Sequence, residues 1–219
     1  LHRCFFRGRR SARRQVGGVG LVLIARREHQ QNTQKQSDQR ECQYCLFHKY
    51  LIRSAKIALF QPLNALKAAG FGLLLYFISS YAMTALIFFI DPEFYNVNDN
   101  SIAGMLEQNY VLMSLGAIVL APVTEEILYR GVVFGHIHHR WPIAAYAISV
   151  GFFSALHVIG YIGQYSPVQL LLCFIQYLPP SIILAWTYVK ADTIWAPIAL
   201  LALVNTVATV ALLILFALT

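Results

Sequence analysis

The chain has 219 residues, of which 58% are hydrophobic and 12% charged, against about 45–50% and about 25% in soluble domains. This composition excludes an ordinary water-soluble globular domain and favours a protein that lies in a membrane. The net charge of +7 is uneven, because residues 1–56 carry +10 and residues 57–219 carry −3. A basic stretch before a membrane-type region favours cytoplasmic retention and attraction to anionic lipid over nucleic-acid binding.

Residues 1–55 are predicted to form a basic tail that is separate from the membrane domain. Residues 30–43 are polar and low in complexity, so the tail is expected to be disordered. Within it, Cys42, Cys45 and His48 form a CxxCxxH pattern. A closed zinc site takes four ligands, and no convincing fourth ligand follows. A solvated tail is therefore favoured over a zinc site.

Five apolar stretches follow within the predicted domain of residues 56–219, each near the roughly 20 residues that a membrane-spanning helix needs. They cover residues 65–90, 108–123, 141–159, 167–189 and 194–218. Pro179 and Pro180 are expected to kink or break the fourth stretch. A short helix over residues 131–139 is predicted to connect the second span to the third. The sequence thus predicts an all-α fold, a polytopic transmembrane helical bundle of about five spanning helices plus one short connecting helix.

The charges of the connecting segments alternate along the chain. Residues 90–107 contain Asp and Glu but no Lys or Arg, whereas histidines and Arg140 follow the second span and Lys190 follows the fourth. Because cytoplasmic loops are enriched in Lys and Arg, the pattern predicts a multi-pass integral membrane protein with a cytoplasmic N-terminus. By the same reasoning, residues 125–130 are expected near the cytoplasmic face.

Two acids and an arginine lie at the end of the second apolar stretch. An ionised side chain in mid-bilayer costs at least about 2.5–3.5 kcal/mol, so these residues indicate either a functional site or an interfacial belt of charge. Glu126 and Arg130 are four positions apart and can pair along one helix face, which predicts a structural ion pair. Glu125 lies about 100° away around the helix, where partial burial would suit a general base.

Two further polar side chains lie in later spans. His157 shares a helix face with Phe153, and an imidazole beside a carboxylate can activate water with or without a metal. A lone histidine in an apolar helix is more often a packing residue. Asn205, in the last span, can donate to an oxyanion or join two helices. We expect Glu125, His157 and Asn205 to converge on one cavity.

Taken in this order, the residues resemble the motifs of the CPBP family. That family comprises the CAAX prenyl proteases of the second type and the bacteriocin-processing or self-immunity proteins, also called the Abi family. Residues 121–131, APVTEEILYRG, resemble its EExxxR motif, and residues 153–157, FSALH, resemble its FxxxH motif. Residues 193–198, TIWAPI, resemble the approach to its third motif, HxxxN. The resemblance covers roughly residues 110–206, and the motifs are specific as a set.

The resemblance implies an intramembrane endopeptidase that cleaves peptide bonds at the cytoplasmic membrane face. By position, Glu125 and His157 would activate the water and Asn205 would assist at the oxyanion, so these three are the predicted catalytic residues. Glu126 and Arg130 would give structural support. The predicted partners are the lipid bilayer and a peptide or protein substrate, with its lipidation left open. No nucleic acid and no cofactor are predicted. Metal dependence is left open, with metal-free activation favoured because one histidine with two acids is a poor zinc set.

One position departs from the family pattern. When Asn205 is aligned with the motif's asparagine, Leu201 occupies the place of the third-motif histidine, and no histidine follows His157. The histidines at 136, 138 and 139 either substitute for it or are interfacial residues. The alternative function is therefore a catalytically degenerate member that acts as a bacteriocin self-immunity or membrane-interaction protein. A proton-coupled transporter is a third possibility, because paired acids relay protons in membranes, although no inverted repeat is visible.

Overall fold

The computed structural model describes residues 29, 33, 34 and 48–218. The chain forms two compact units, residues 1–50 and 51–219. Cys42 and Cys45 lie outside the described residues, and so does most of the tail, so the zinc pattern and the predicted disorder stay predictions. Residues 48–55 are described and are helical, and the predicted boundary between tail and membrane domain stays a prediction.

All regular elements described in the second unit are helices, apart from an isolated bridge between Ile162 and Tyr165. The helices are α1 (residues 51–60 of this unit), α2 (Pro62–Ile90), α3 (Val97–Gln108), α4 (Tyr110–His138), α5 (Pro142–Leu156), α6 (Pro167–Ala191) and α7 (Trp195–Leu218). Five of them, α2, α4, α5 with its following turn, α6 and α7, are long and apolar enough to cross a membrane. This confirms the predicted all-α polytopic bundle.

The helix starts follow from local sequence. Pro62, Pro142 and Pro167 stand in the first turns of α2, α5 and α6, where a missing N–H costs nothing. Asn96 caps α3, because its side chain accepts from the backbone N–H groups of the two residues at 98 and 99. Ser166 caps α6 in the same way. These caps separate α3 from α2 and set the start of α6.

The position predicted for the short connecting helix is wrong. Residues 131–138 belong to the end of α4, which runs unbroken from Tyr110 to His138, and only residues 139–141 join it to α5. Glycine inside an apolar helix is tolerated when packing holds the helix together, so Gly131 does not end it. The short helix is instead α3, between the first and second spans. α6 also continues through Pro179 and Pro180, so these do not break the fourth span.

Helix α4 is irregular around the paired acids. Its segments Gly116–Leu120 and Ile127–Phe134 are π-helical, and they flank the α-helical turn Ala121–Glu126. π-helical turns are rare and occur frequently at functional sites. The change of winding on both sides alters which faces of α4 the two acids present to neighbouring helices.

Helix α2 packs closely against α6 and α7 at Gly72. A Cβ atom added there would lie 2.4 Å from Oγ1 of Thr187 and 2.7 Å from Cδ1 of Leu200, two fully buried side chains. We expect Gly72→Ala to lower the free energy of unfolding by about 1–3 kcal/mol, because overpacking forces the helices apart.

Gly70→Ala is the matched control, since a Cβ atom there would meet nothing within 4 Å and alanine is the better helix former. Unfolding of both variants in a graded detergent titration measures the difference. Equal stability of the two would contradict the close approach.

The alternating spans give the bundle two ends. One end, called here the α3 end, holds α3, residues 157–166 and the C-terminal end of α7. There Gln169, in the first turn of α6, donates through Nε2 to the backbone carbonyl of Tyr95. This hydrogen bond joins α6 to the segment between α2 and α3. At the opposite end, Oγ of Ser54 accepts from the backbone N–H of Ile194 at 2.8 Å. That hydrogen bond attaches α1 to the turn before α7.

Candidate active site

A cavity of about 780 Å³ lies between α2, α4, α6 and α7, with α3 along one side. It extends from the middle of the spans into the half nearer the α3 end. Glu125, His157, Leu201 and Asn205 all line it. The structure therefore brings the three predicted catalytic residues, from three different spans, to one cavity.

Glu125 and His157 face each other across a short gap. Oε2 of Glu125 lies 3.9 Å from Nε2 of His157, which is too long for a direct hydrogen bond. Nδ1 of His157 lies 2.8 Å from the carbonyl oxygen of Phe153. Because a carbonyl only accepts, Nδ1 carries a proton and donates it to this bond, and Nε2 is the ring nitrogen on the carboxylate side. A gap of this width suits one water molecule bonded to both groups.

The ring of His157 packs against two aromatic rings. Phe153 and Tyr177 each place a ring centroid 4.4 Å from that of His157. The Tyr177 hydroxyl donates to Oδ1 of Asp99 at 2.8 Å and accepts from Nδ2 of Asn98 at 3.0 Å. Helix α3 thus anchors Tyr177, and Tyr177 in turn fixes the imidazole plane.

Asp99 is a site residue that sequence reasoning missed. The sequence analysis treated it only as one acid of a connecting segment, yet it lines the cavity at its outer wall. Desolvation by the surrounding cavity wall raises the pKa of the Asp99 carboxyl, and the hydrogen bond from Tyr177 opposes that rise. The signal that could have found α3 is its run of amides and acids, NVNDN, in an otherwise apolar region.

Glu126 and Arg130 form a fully buried pair behind the cavity. Nη1 of Arg130 lies 2.8 Å from Oε1 of Glu126, and neither side chain is exposed. Nη2 of Arg130 donates to the carbonyl oxygen and to Oγ of Ser181 on α6, at 2.9 and 3.0 Å. The guanidinium also lies 4.8 Å over the ring of Phe153. The pair therefore joins α4 to α6. It also contacts Phe153, whose backbone carbonyl accepts the hydrogen bond from Nδ1 of His157.

Asn205 connects α7 to the irregular part of α4. Its Nδ2 donates to the carbonyl oxygen of Ala117 at 2.7 Å, and Ala117 belongs to the π-helical segment Gly116–Leu120. A side-chain amide has two N–H groups. One of them is used here, which leaves the other for an acceptor in the cavity.

Leu201 lies one helical turn before Asn205 on the same cavity wall. It is 4% exposed and packs in a buried cluster with Tyr129, Phe153 and Leu200, against which the ring of Tyr76 also packs. An aliphatic side chain therefore lines the cavity at the position where the resemblance leads us to expect the third-motif histidine.

The histidines at 136, 138 and 139 do not replace it. They lie at the end of α4 remote from the α3 end, and none of them lines the cavity. His138 stacks on Phe134 with ring centroids 4.6 Å apart. These residues belong to the far end of the bundle.

The expected position of the acids near the cytoplasmic face stays a prediction. Glu125 lies at the middle of α4, and its cavity extends towards the α3 end. The charge pattern assigned Glu125 to the nearest basic segment along the chain, whereas its spatial neighbours come from α3 and from the end of α5. Which end of the bundle faces the cytoplasm stays a prediction.

Metal ligands are not clustered in the part of the chain that the structure describes. No group of three or more His, Cys, Asp or Glu side chains there has the geometry to hold a metal ion. Within the cavity, the candidate donors are the carboxylates of Glu125 and Asp99 and one imidazole.

Residues 107–207 match the model of the family described as type II CAAX prenyl endopeptidase, Rce1-like. Over these residues the chain is similar to this CAAX-protease family. No curated protein and no solved structure matches the chain significantly. The matched segment contains both acids of α4, His157, Leu201 and Asn205 but not α2 or most of α3. A large part of the cavity wall therefore lies outside the segment that the family model describes.

Proposed function

We propose that the chain is an intramembrane endopeptidase of the CAAX-protease type, which hydrolyses peptide bonds of membrane-associated substrates with a water activated by Glu125 and His157. A protease family and five apolar spans support a protease in the bilayer. The observation that carries the proposal is the 3.9 Å gap between the Glu125 carboxylate and Nε2 of His157 inside the cavity.

The proposed reaction uses groups that already face the cavity. A water in the gap donates one hydrogen bond to Glu125 and one to Nε2 of His157. As the water oxygen attacks the scissile carbonyl carbon, its proton passes to the Glu125 carboxylate. The C–N bond then breaks, and that proton passes to the leaving nitrogen, which departs as the amine while the acyl part leaves as a carboxylic acid.

The other residues act on geometry and charge. The free N–H of Asn205 donates to the carbonyl oxygen as negative charge develops on it. Glu126, Arg130 and Ser181 hold α4 against α6, so that Glu125 keeps its place opposite His157. Phe153 and Tyr177 hold the imidazole in its plane, which keeps Nε2 directed at the gap.

The test is hydrolysis by the purified full chain in lipid vesicles. Membrane-anchored peptides, with and without a prenyl group on cysteine, are offered and the products are identified by mass spectrometry. We expect cleavage by the wild type, and the paired substrates decide whether lipidation is required. We expect His157→Gln to lower kcat by about 10²–10⁴, the contribution typical of a positioned acid–base group.

His138→Gln, a histidine away from the cavity, is the matched control and should leave the rate unchanged. Equal rates for wild type and His157→Gln would overturn the proposed mechanism. If wild type does not cleave the peptides but its Leu201→His variant does, the result would instead favour the alternative function, a catalytically degenerate family member.

A further inference from the structure

With leucine at position 201, the developing oxyanion would have one hydrogen-bond donor fewer than the family pattern provides. In the proposed reaction the family pattern would place a histidine and an asparagine beside the carbonyl oxygen, and here the histidine position holds an aliphatic chain. Removing one donor from such a site typically costs about 10²–10³ in kcat. An active enzyme with this sequence would therefore need a donor from elsewhere in the cavity wall.

Three tyrosines lie close to Leu201, and they differ in what their hydroxyls do. Tyr177 uses its hydroxyl on Asp99 and on the amides of α3. Tyr129 packs in the buried cluster but does not line the cavity. Only Tyr76, among these three, both lines the cavity and makes no side-chain hydrogen bond to another described residue.

The position of Tyr76 in the cavity wall also suits a donor to the oxyanion. It lies on α2, its ring packs against the cluster that contains Leu201, and the same cavity wall continues to Glu125 and Asn205. Glu125 and Asp99 line the same cavity as Tyr76. A phenol is a hydrogen-bond donor that remains protonated at neutral pH, and tyrosine serves as an oxyanion donor in other enzymes.

We propose that the Tyr76 hydroxyl donates a hydrogen bond to the developing oxyanion together with Asn205, and so replaces the donor that Leu201 lacks. This inference rests on the proposed function. It makes Tyr76 a catalytic residue contributed by α2, outside the segment of residues 107–207 that the family model matches. The donor comes from α2 rather than from α7.

The experiment compares Tyr76→Phe with wild type in the vesicle assay. This variant removes one oxygen and keeps the ring that packs beside Leu201. We expect kcat to fall by about 10²–10³ with KM unchanged, because the hydrogen bond forms only as charge develops. Tyr146→Phe, a tyrosine packed on Phe134 away from the cavity, should keep the wild-type kcat. The double variant Tyr76→Phe/Leu201→His should regain activity over the single variant, which would show that the loss is one of donation and not of folding.

A second measurement separates this inference from the proposed function. A peptide phosphonate carries a tetrahedral anion in place of the scissile amide, and its Kd is measured by calorimetry for wild type and Tyr76→Phe. Weaker binding by Tyr76→Phe supports the inference, even if the wild type hydrolyses none of the peptides and the proposed function fails. Equal phosphonate binding, an unchanged kcat in Tyr76→Phe, or no phosphonate binding to either protein overturns the inference. In the first two cases, cleavage that depends on His157 would leave the proposed function standing.

Discussion

Replacing Glu125 with glutamine is expected to lower kcat for peptide hydrolysis by at least about 10²–10⁴, the range for loss of a positioned general base. Glutamine keeps the size and one oxygen of the side chain but cannot accept the proton of the attacking water. The side chain of Glu125 is 25% exposed and faces the cavity, so the substitution leaves no buried polar group without a hydrogen-bond partner. The measurement is kcat and KM in lipid vesicles with the peptide that wild type cleaves.

Glu107→Gln is the matched control. Glu107 is an acid near the C-terminal end of α3 that does not line the cavity, and its replacement should leave kcat unchanged. The unfolding transition of Glu125→Gln should match or exceed that of wild type, because a partly desolvated charge is removed. Wild-type hydrolysis by Glu125→Gln would remove the base from the mechanism. A loss of folding together with the loss of rate would assign Glu125 a structural role.

Replacing Arg130 with methionine is expected to have the largest effect on stability. The guanidinium is fully buried, pairs with Glu126 at 2.8 Å and donates twice to Ser181. Removing one partner of a buried pair leaves an uncompensated charge and typically costs about 3–5 kcal/mol. Arg130→Met should therefore unfold at a lower detergent or denaturant concentration than wild type.

The double variant Glu126→Gln/Arg130→Met completes a cycle that isolates the pair. It removes both charges, so we expect it to recover a large part of the stability lost in Arg130→Met. Arg140→Met is the control, because Arg140 is exposed in the turn between α4 and α5. If Arg130→Met and Arg140→Met unfold alike, the buried pair does not hold α4 to α6. No recovery in the double variant would show that the contacts to Ser181 matter more than the charge pair.

Glu126 and Arg130 show how much of the geometry of the site can be predicted from local sequence. The spacing of Glu126 and Arg130 predicts their ion pair, since residues four apart meet on one face of any helix, and the two atoms are in contact. The same spacing says nothing about Ser181, which lies 51 positions further along the chain. Its carbonyl and hydroxyl reach the guanidinium only because α6 packs beside α4.

Helix α3 shows where local reasoning failed. The sequence analysis counted Asp99 only among the acids of the segment that connects the first two spans, and it predicted the short helix on the wrong side of the second span. Neither error is visible locally, because α3 acquires its role by contact with Tyr177, on α6, and through it with His157. Tyr76 was missed for the same reason, since nothing around it on α2 differs from other apolar helix sequence.

By itself, the amino-acid sequence determined the helical class, the five spans and the three motif positions of Glu125, His157 and Asn205. Hydrophobic length and residue spacing are local properties, and they survive whatever the helices pack against. Only the tertiary structure decided the 3.9 Å gap, the half of the bundle that holds the cavity and the packing of Tyr76 against the cluster that contains Leu201. Those features depend on contacts between spans that are far apart in the chain, and such contacts arise from packing that no single segment encodes.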